Sequence, residues 1–134
     1  MTSAEEHSKT ISEFVEDINE KIRDGKLYSR QKIIGFDVSE CATNLFEFYL
    51  HRKGLVTQGF SVNHRYFSSP QKAEEKFPFD FPKKEGMLNL LVEIEALTTR
   101  LCYGKSKKLE DAENAVQLLF RFKETVEGEL GEAI

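Results

Sequence analysis

Apolar residues recur at spacings of three and four in four long segments of this 134-residue chain, and this period constrains the fold more than any other feature. The segments run from about residue 3 to 24, 29 to 53, 84 to 103 and 108 to 128. Such spacing places one apolar stripe along a helix. No alternating pattern of strand length is present. Because amphipathic helices bury their stripes by packing together, we predict an all-α, up-and-down bundle of four main helices, forming one domain over residues 1–134.

Local signals predict where these helices begin and end. Ser3 with Glu6, and Thr10 with Glu13, both have the spacing of a capping box, so the first helix has two candidate starts. Gly25, Gly54 and Gly104 follow the first three apolar segments and predict C-terminal caps of those helices. Gly35 lies inside the second segment, where a glycine costs about 1 kcal/mol relative to alanine. We interpret it as a close approach to another helix.

The connection between the second and third helices, from about residue 55 to 84, contains all three prolines and five phenylalanines. Ser69-Pro70 has the pattern of an N-cap followed by proline at the first helical position, which predicts a short helix over residues 70–76. The stretch 77–82, FPFDFP, is predicted to be extended, because a residue before proline is disfavoured in the α region. A connection of this length is typically functional or packed over the core.

The composition is that of a globular protein, with 40% apolar and 31% charged residues. The net charge of −4 argues against a generally basic nucleic-acid binder. The first 19 residues are polar and acidic, unlike a secretion signal, and no apolar run approaches the ~20 residues of a membrane span. We therefore expect a cytoplasmic protein with no membrane partner. Cys41 and Cys102 occupy apolar helix positions and are interpreted as buried small hydrophobic residues.

No cofactor or metal site is expected from motifs along the chain. None of the three histidines, His7, His51 and His64, has a second histidine or a cysteine at ligand spacing. Glu110 and Glu113 have the spacing of a di-metal motif, but they lie at a helix start, where capping and the helix dipole explain them. Glycine-rich phosphate loops are absent as well.

A run without acids lies between Glu47 and Glu74. It contains basic residues and interleaved aromatic ones: His51, Arg52, Lys53, His64, Arg65, Lys72, Tyr49, Phe60, Tyr66 and Phe67. One interpretation is a surface that holds phosphates and stacks a base. The other is a helix C-terminus with its usual basic residues, followed by a loop whose aromatic residues belong to the core.

Three segments carry a resemblance to a known family. Residues 40–54, ECATNLFEFYLHRKG, resemble the second helix of HEPN domains, with an acid, small residues, a hydrophobic run and a closing Lys-Gly. Residues 94–104, IEALTTRLCYG, are similar to the third helix, which ends in an arginine near an aromatic residue. Residues 109–116, LEDAENAV, are similar to the acidic, alanine-containing start of the last helix. The resemblance covers about residues 33–126.

The resemblance implies a helical bundle that forms a homodimer and accompanies a small nucleotidyltransferase, in toxin–antitoxin systems among others. Some members are ribonucleases with an Arg-x4–6-His motif at the end of the third helix. Arg100 lies at the corresponding position here, but residues 105–107 are Lys, Ser and Lys. Proton exchange near neutral pH is the natural task of histidine, so this departure argues against ribonuclease activity.

The leading interpretation is a non-catalytic binding module for a nucleotide, RNA or a nucleotidyltransferase partner. Its predicted binding residues are Arg52, His64, Arg65, Arg100 and Tyr103. One alternative is a divergent, metal-independent ribonuclease that uses His64, matched to a histidine in the family's loop, together with Arg100. The other is a structural subunit that buries Phe36 and Phe46, or the strip 77–81, in a dimer.

Overall fold

The computed structural model describes residues 4–134, and every regular element in that range is helical. The α-helices are α1 (Ala4–Arg23), α2 (Gln31–Arg52), α3 (Pro70–Lys76), α4 (Lys84–Cys102) and α5 (Leu109–Leu130). A short 3-10 helix, His64–Phe67, precedes α3. The predicted all-α class is confirmed. Within residues 4–134, no helix is long and apolar enough to cross a membrane.

The boundaries of the helices follow the local signals in the sequence. Gly25, Gly54 and Gly104 follow α1, α2 and α4, and each has a positive φ, the conformation that glycine adopts without steric cost. The predicted short helix is confirmed as α3, with the Ser69 hydroxyl accepting a hydrogen bond from the Lys72 amide at 3.1 Å. The ends of α1, α2 and α4 and the start of α3 were therefore predictable from local signals.

The start of α1 differs from one of its two predictions. Thr10 lies inside α1, so a helix start at Thr10 is wrong. The other candidate cap, Ser3, lies outside the described residues. Helix α1 packs mainly on α2 and buries Ile11 and Ile18, whereas Ile22 at the end of its predicted stripe is exposed.

Helix α2 is the central helix, since it packs against α1, α4 and α5. Helices α4 and α5 also pack against each other. A helix with partners on several sides is apolar around most of its circumference. This explains why Phe46 is fully buried although it lies off the predicted stripe. Phe36, also off the stripe, is 56% exposed, and its ring contacts that of Phe14 on α1 at a centroid distance of 6.1 Å.

The connection from residue 53 to 83 packs on the core through its aromatic rings. Phe67, Phe77 and Phe81 are buried, and their ring centroids lie 5.0 to 5.9 Å from that of Phe46. The 3-10 helix and α3 lie against α4. Phe46, Phe77 and Phe81 are buried within the chain, so the prediction that they form a face for a partner is wrong. Phe36, which was predicted to share such a face with Phe46, is exposed.

Gly35 lies at a close approach between α2 and α4, as predicted. A Cβ atom at this position would lie 2.9 Å from the Cys102 Sγ and 3.0 Å from the Leu101 Cβ. Real Cβ atoms do not come this close, so a larger residue would push the two helices apart. Cys41 is fully buried as predicted, whereas Cys102 at this crossing is only half-buried.

Candidate functional site

His64 is positioned by the 3-10 helix and by a carboxylate on α4. The Asn63 side chain caps the 3-10 helix by accepting a hydrogen bond from the Arg65 amide at 2.8 Å. The His64 Nδ1 donates to Glu95, with distances of 2.7 Å to Oε2 and 2.9 Å to Oε1. A carboxylate only accepts, so Nδ1 carries the hydrogen and Nε2 is the remaining ring nitrogen. The side chain of His64 is partly exposed.

Glu95 was missed by the sequence analysis, although it is the acid that orients His64. It is only 9% exposed and also accepts a hydrogen bond from the Thr99 hydroxyl at 2.9 Å. A buried carboxylate is costly unless it is paired and hydrogen-bonded, and here it is both. The sequence does contain a signal for Glu95, because this acid lies four residues after Leu91 and therefore on the buried side of α4. A charge at that helical spacing requires a partner from elsewhere in the chain.

An open cavity of about 430 Å³ lies beside this pair. It is bounded by α4 and the 3-10 helix, and its lining residues are His64, Arg65, Ser68, Glu95, Ala96, Thr99 and Tyr103. Tyr103 follows α4 in an extended conformation and is 71% exposed. The cavity therefore combines an aromatic face, a guanidinium group, hydroxyl groups and an oriented imidazole. We refer to this cavity as the His64 groove.

A smaller cavity of about 170 Å³ adjoins the His64 groove. The two cavities share His64, Glu95, Thr99 and Tyr103 as lining residues. Helix α2 contributes Phe36, Ser39 and Glu40 to the smaller one. The oriented histidine thus lies between two adjacent depressions in the surface.

Arg100 faces a different cavity, of about 440 Å³, between α4 and α5. That cavity is also lined by Arg121, Asp111 and Glu93, and Ala96 lines both it and the His64 groove. The fold therefore places Arg100 and His64 in neighbouring cavities on α4 and not in one shared cleft. The Arg100 cavity thus contains two guanidinium groups and two carboxylates, so its charges balance.

Arg52 lies at the end of α2 and lines none of these three cavities. Its guanidinium forms an ion pair with Glu132 at 2.7 Å and lies 5.4 Å from the centroid of the Phe48 ring. The structure thus brings together His64, Arg65 and Tyr103 of the predicted binding residues, but not Arg52 or Arg100.

The basic and aromatic run between Glu47 and Glu74 does not form one continuous surface. Tyr49 and Phe67 are buried, and Phe60 and Tyr66 are half-buried against the core. This favours the interpretation of the run as a helix C-terminus followed by core aromatic residues. The aromatic ring that does accompany His64 and Arg65 is Tyr103, which directly follows α4.

The two thiols are poor nucleophiles in this fold. Burial raises the pKa of Cys41 to about 12. Burial, with the negative charge of Glu95, also raises the pKa of Cys102. Since the thiolate is the reactive form, neither cysteine is a candidate for nucleophilic catalysis near neutral pH.

Residues 4–134 contain one group of side chains that can hold a metal ion, which the sequence analysis did not detect. His7 of α1 meets Glu47 and His51 of α2, and one potential ligand atom from each lies within 4.8 Å of the others. His7 is 40 residues from Glu47 in the chain, so no ligand spacing could reveal the group.

No protein-family model, no curated protein and no solved structure matches this chain. The resemblance of residues 33–126 to HEPN domains therefore stays a prediction.

Proposed function

We propose that this protein is a HEPN-like, non-catalytic helical binding module that takes a nucleotide or a short stretch of single-stranded RNA in the His64 groove. The observation that carries the proposal is the convergence of three predicted binding residues, His64, Arg65 and Tyr103, on one open cavity. These residues come from opposite ends of a 40-residue stretch and meet only in the folded protein.

The chemistry of the groove suits this class of ligand. An exposed tyrosine ring stacks on a base without regard to its identity, and such stacking contributes about 1–3 kcal/mol per base. The Arg65 guanidinium, which is exposed, complements a phosphate and can bind it through two hydrogen bonds. Ser68 and Thr99 add hydroxyl groups at the same cavity. In a chain with net charge −4, such a local arrangement supports a single site and not general nucleic-acid binding.

A longer RNA strand has a second place to bind. The Arg100 cavity shares Ala96 with the His64 groove, and it contains Arg121 as well. A strand that stacks one base on Tyr103 can pass over α4 and reach Arg100 and Arg121, whose charges Glu93 and Asp111 partly offset. The proposal therefore assigns Arg100 to the same ligand through a neighbouring cavity.

The partner and architecture parts of the proposal rest on different features. Ile33 and Phe36 are exposed on neighbouring positions of α2, which supports a homodimer or a nucleotidyltransferase bound on that side. The short connections 24–30 and 103–108 support an up-and-down arrangement of the four long helices. Sedimentation velocity measures the dimer, and a monomer at the highest accessible concentration contradicts it.

Fluorescence anisotropy with labelled oligouridine, and competition by ATP and GTP, tests the binding proposal. We expect Tyr103→Ala to weaken binding about 5- to 100-fold, which corresponds to the loss of one stacked base. Arg65→Ala is expected to weaken binding and to reduce its salt dependence, because one phosphate contact is lost. Both positions are exposed, so neither change should affect folding.

Tyr28→Ala is the matched control for Tyr103→Ala. Tyr28 is also an exposed tyrosine, 53% accessible, but it lines a different cavity, beside Arg30. Equal loss of affinity in the Tyr28 and Tyr103 variants, or no binding of any of these ligands by the wild-type protein, contradicts the proposal.

The ion pair of His64 and Glu95 favours one second candidate function, a metal-independent ribonuclease. With Nδ1 donating to a buried carboxylate, Nε2 is the nitrogen left to act as a base for the 2′-hydroxyl of RNA, and Glu95 would stabilise the imidazolium that forms. Arg100 would stabilise charge from the neighbouring cavity.

Analysis of the same RNA for cleavage products tests this second function. It predicts cleavage that persists in EDTA and falls by at least 100-fold in His64→Ala, while RNA affinity is largely retained. Cleavage at the wild-type rate by the His64 variant would rule this function out.

A further inference from the structure

The side chains of His7, Glu47 and His51 meet where the start of α1 packs on the end of α2. Glu47 and His51 are four residues apart and therefore lie on one side of α2. His7 faces them from α1 and is only 2% exposed. One potential ligand atom of each side chain lies within 4.8 Å of the other two.

The hydrogen bonds around His7 determine which ring nitrogen is protonated. The Asn44 Nδ2 donates to the Glu40 carbonyl at 2.8 Å, so the Asn44 Oδ1 is the atom that faces the His7 Nδ1, at 3.0 Å. An amide oxygen only accepts, and Nδ1 therefore carries the hydrogen. In neutral imidazole this leaves a lone pair on Nε2.

The His7 Nε2 is buried and has no hydrogen-bond partner. It lies 2.6 Å from the Glu47 Oε2, yet it makes no hydrogen bond, because the two atoms lack the alignment of one. A lone pair and a carboxylate oxygen repel at this distance unless a cation lies between them. Two ligands about 2.1 Å from one tetrahedral ion are about 3.4 Å apart, so a bound ion requires the Glu47 Oε2 to move by less than about 1 Å from its present position.

The side chains of His51 and Glu47 also each form one hydrogen bond and keep one potential ligand atom free of it. The His51 Nε2 donates to the Phe60 carbonyl at 3.2 Å, which leaves Nδ1 as the nitrogen with a lone pair. The Glu47 Oε1 accepts from the Val62 amide at 2.7 Å, which leaves Oε2. Each side chain thus uses one atom to fix its orientation and keeps one for a ligand. Histidines that bind metals typically donate their second ring N–H to an oxygen in this manner.

We propose that the His7 Nε2, the Glu47 Oε2 and the His51 Nδ1 bind one divalent zinc-class ion. Two imidazoles and one carboxylate suit Zn²⁺, Co²⁺ or Ni²⁺, whereas Mg²⁺ and Ca²⁺ prefer sites made of oxygen ligands alone. Glu47 and His51 are only half-buried, so the ion can enter from solvent and keep a water molecule in the remaining position. The ion would hold α1 and the segment 60–62 against α2. This site is separate from the His64 groove and does not depend on the proposed function.

Calorimetric titration of the EDTA-stripped protein with ZnCl₂ tests the site. We expect one Zn²⁺ per chain and a rise in Tm of about 5–10 °C at a Zn²⁺ concentration 100-fold above Kd, with no rise in Mg²⁺. His51→Ala is expected to lower Zn²⁺ affinity at least tenfold. Its side chain is the most suitable to remove because it is half-buried, and circular dichroism of the variant confirms that it is folded. His7→Gln provides a second variant.

His64→Ala is the matched control, since His64 also contacts a glutamate, and it should bind Zn²⁺ with wild-type affinity. Loss of binding in His64→Ala with retention in His51→Ala would place the ion elsewhere and overturn the proposal. Absence of 1:1 binding by the wild-type protein would also overturn it.

Discussion

Replacement of Phe46 with alanine is expected to lower the free energy of unfolding by about 3–5 kcal/mol, the usual cost of removing a buried phenylalanine side chain. Phe46 is fully buried on α2. Its ring lies 5.0 to 6.3 Å, between centroids, from the rings of Tyr49, Phe67, Phe77, Phe81 and Phe122. These rings belong to α2, the 53–83 connection and α5, so one side chain joins three parts of the fold.

The effect of Phe46→Ala is large relative to the stability of a chain of this size. Native domains are typically stable by about 5–15 kcal/mol, and each aromatic pair contributes about 0.5–1.5 kcal/mol beyond the burial of area. The loss of Phe46 also leaves a cavity where the connection packs on α2. We therefore expect the connection to lose its packing together with the core.

Urea unfolding followed by circular dichroism measures the change, and Phe36→Ala is the matched control. Phe36 is the same residue type on the same helix, but it is 56% exposed and contacts one ring, that of Phe14, so its removal should lower the free energy of unfolding by no more than about 1.5 kcal/mol. Similar effects of the two substitutions would show that the aromatic cluster around Phe46 is not the centre of the core.

The second large effect concerns the pH dependence of stability, and it arises from two carboxyl groups between α1 and α2. Burial raises the pKa of Asp37 to about 7, and a hydrogen bond with Asp17 and the charge of Asp17 add to this shift. The hydrogen bonds that Asp17 accepts from Asp37 and Lys21 lower the pKa of Asp17. The pair therefore shares one proton, which resides on Asp37.

The two pKa shifts affect stability in different pH ranges. An unfolded Asp37 titrates near its ordinary value of 3.8, so between about pH 4 and 7 the folded protein holds a proton that the unfolded chain lacks. The stability from this proton is fully present below about pH 4 and is lost as the pH rises through 7. The contribution of Asp17 is present above pH 4 and is lost only as the pH falls through its lowered pKa.

Asp37→Asn is therefore expected to be more stable than the wild-type protein at pH 8, by at most about 4 kcal/mol, because an amide cannot lose its proton. The asparagine amide can still donate to Asp17. Urea unfolding of both proteins from pH 5 to 8 measures the difference between their free energies of unfolding. The contributions of titrating groups that the two proteins share cancel in this difference. Parallel losses of stability in the two proteins over this range would contradict the shared proton.

The positions of individual helices were predictable because their signals are local. Ser69 and Pro70 specify the start of α3, and the glycines after α1, α2 and α4 specify helix ends through conformations that other residues avoid. Gly35 indicated a helix crossing because its energetic cost within a helix requires a compensating contact. Each of these inferences needs only a few neighbouring residues.

The assembly of the candidate sites could not be predicted from the sequence. Glu95 orients His64 across 31 residues, and His7 meets Glu47 across 40. The sequence left open whether Arg100 lies near His64, and the rotation of α4 places it in the neighbouring cavity. These outcomes depend on the rotation of each helix about its axis and on the path of the 53–83 connection.

The sequence by itself therefore determined that this protein is helical, where most helices begin and end, and which residues could carry a binding site. Only the tertiary structure decided that His64 is paired with a buried acid, that Tyr103 accompanies it, and that His7 joins Glu47 and His51. The physical reason is the range of the interactions. Capping, glycine conformation and helical period act within one or two turns, whereas buried polar groups find their partners through packing between distant segments.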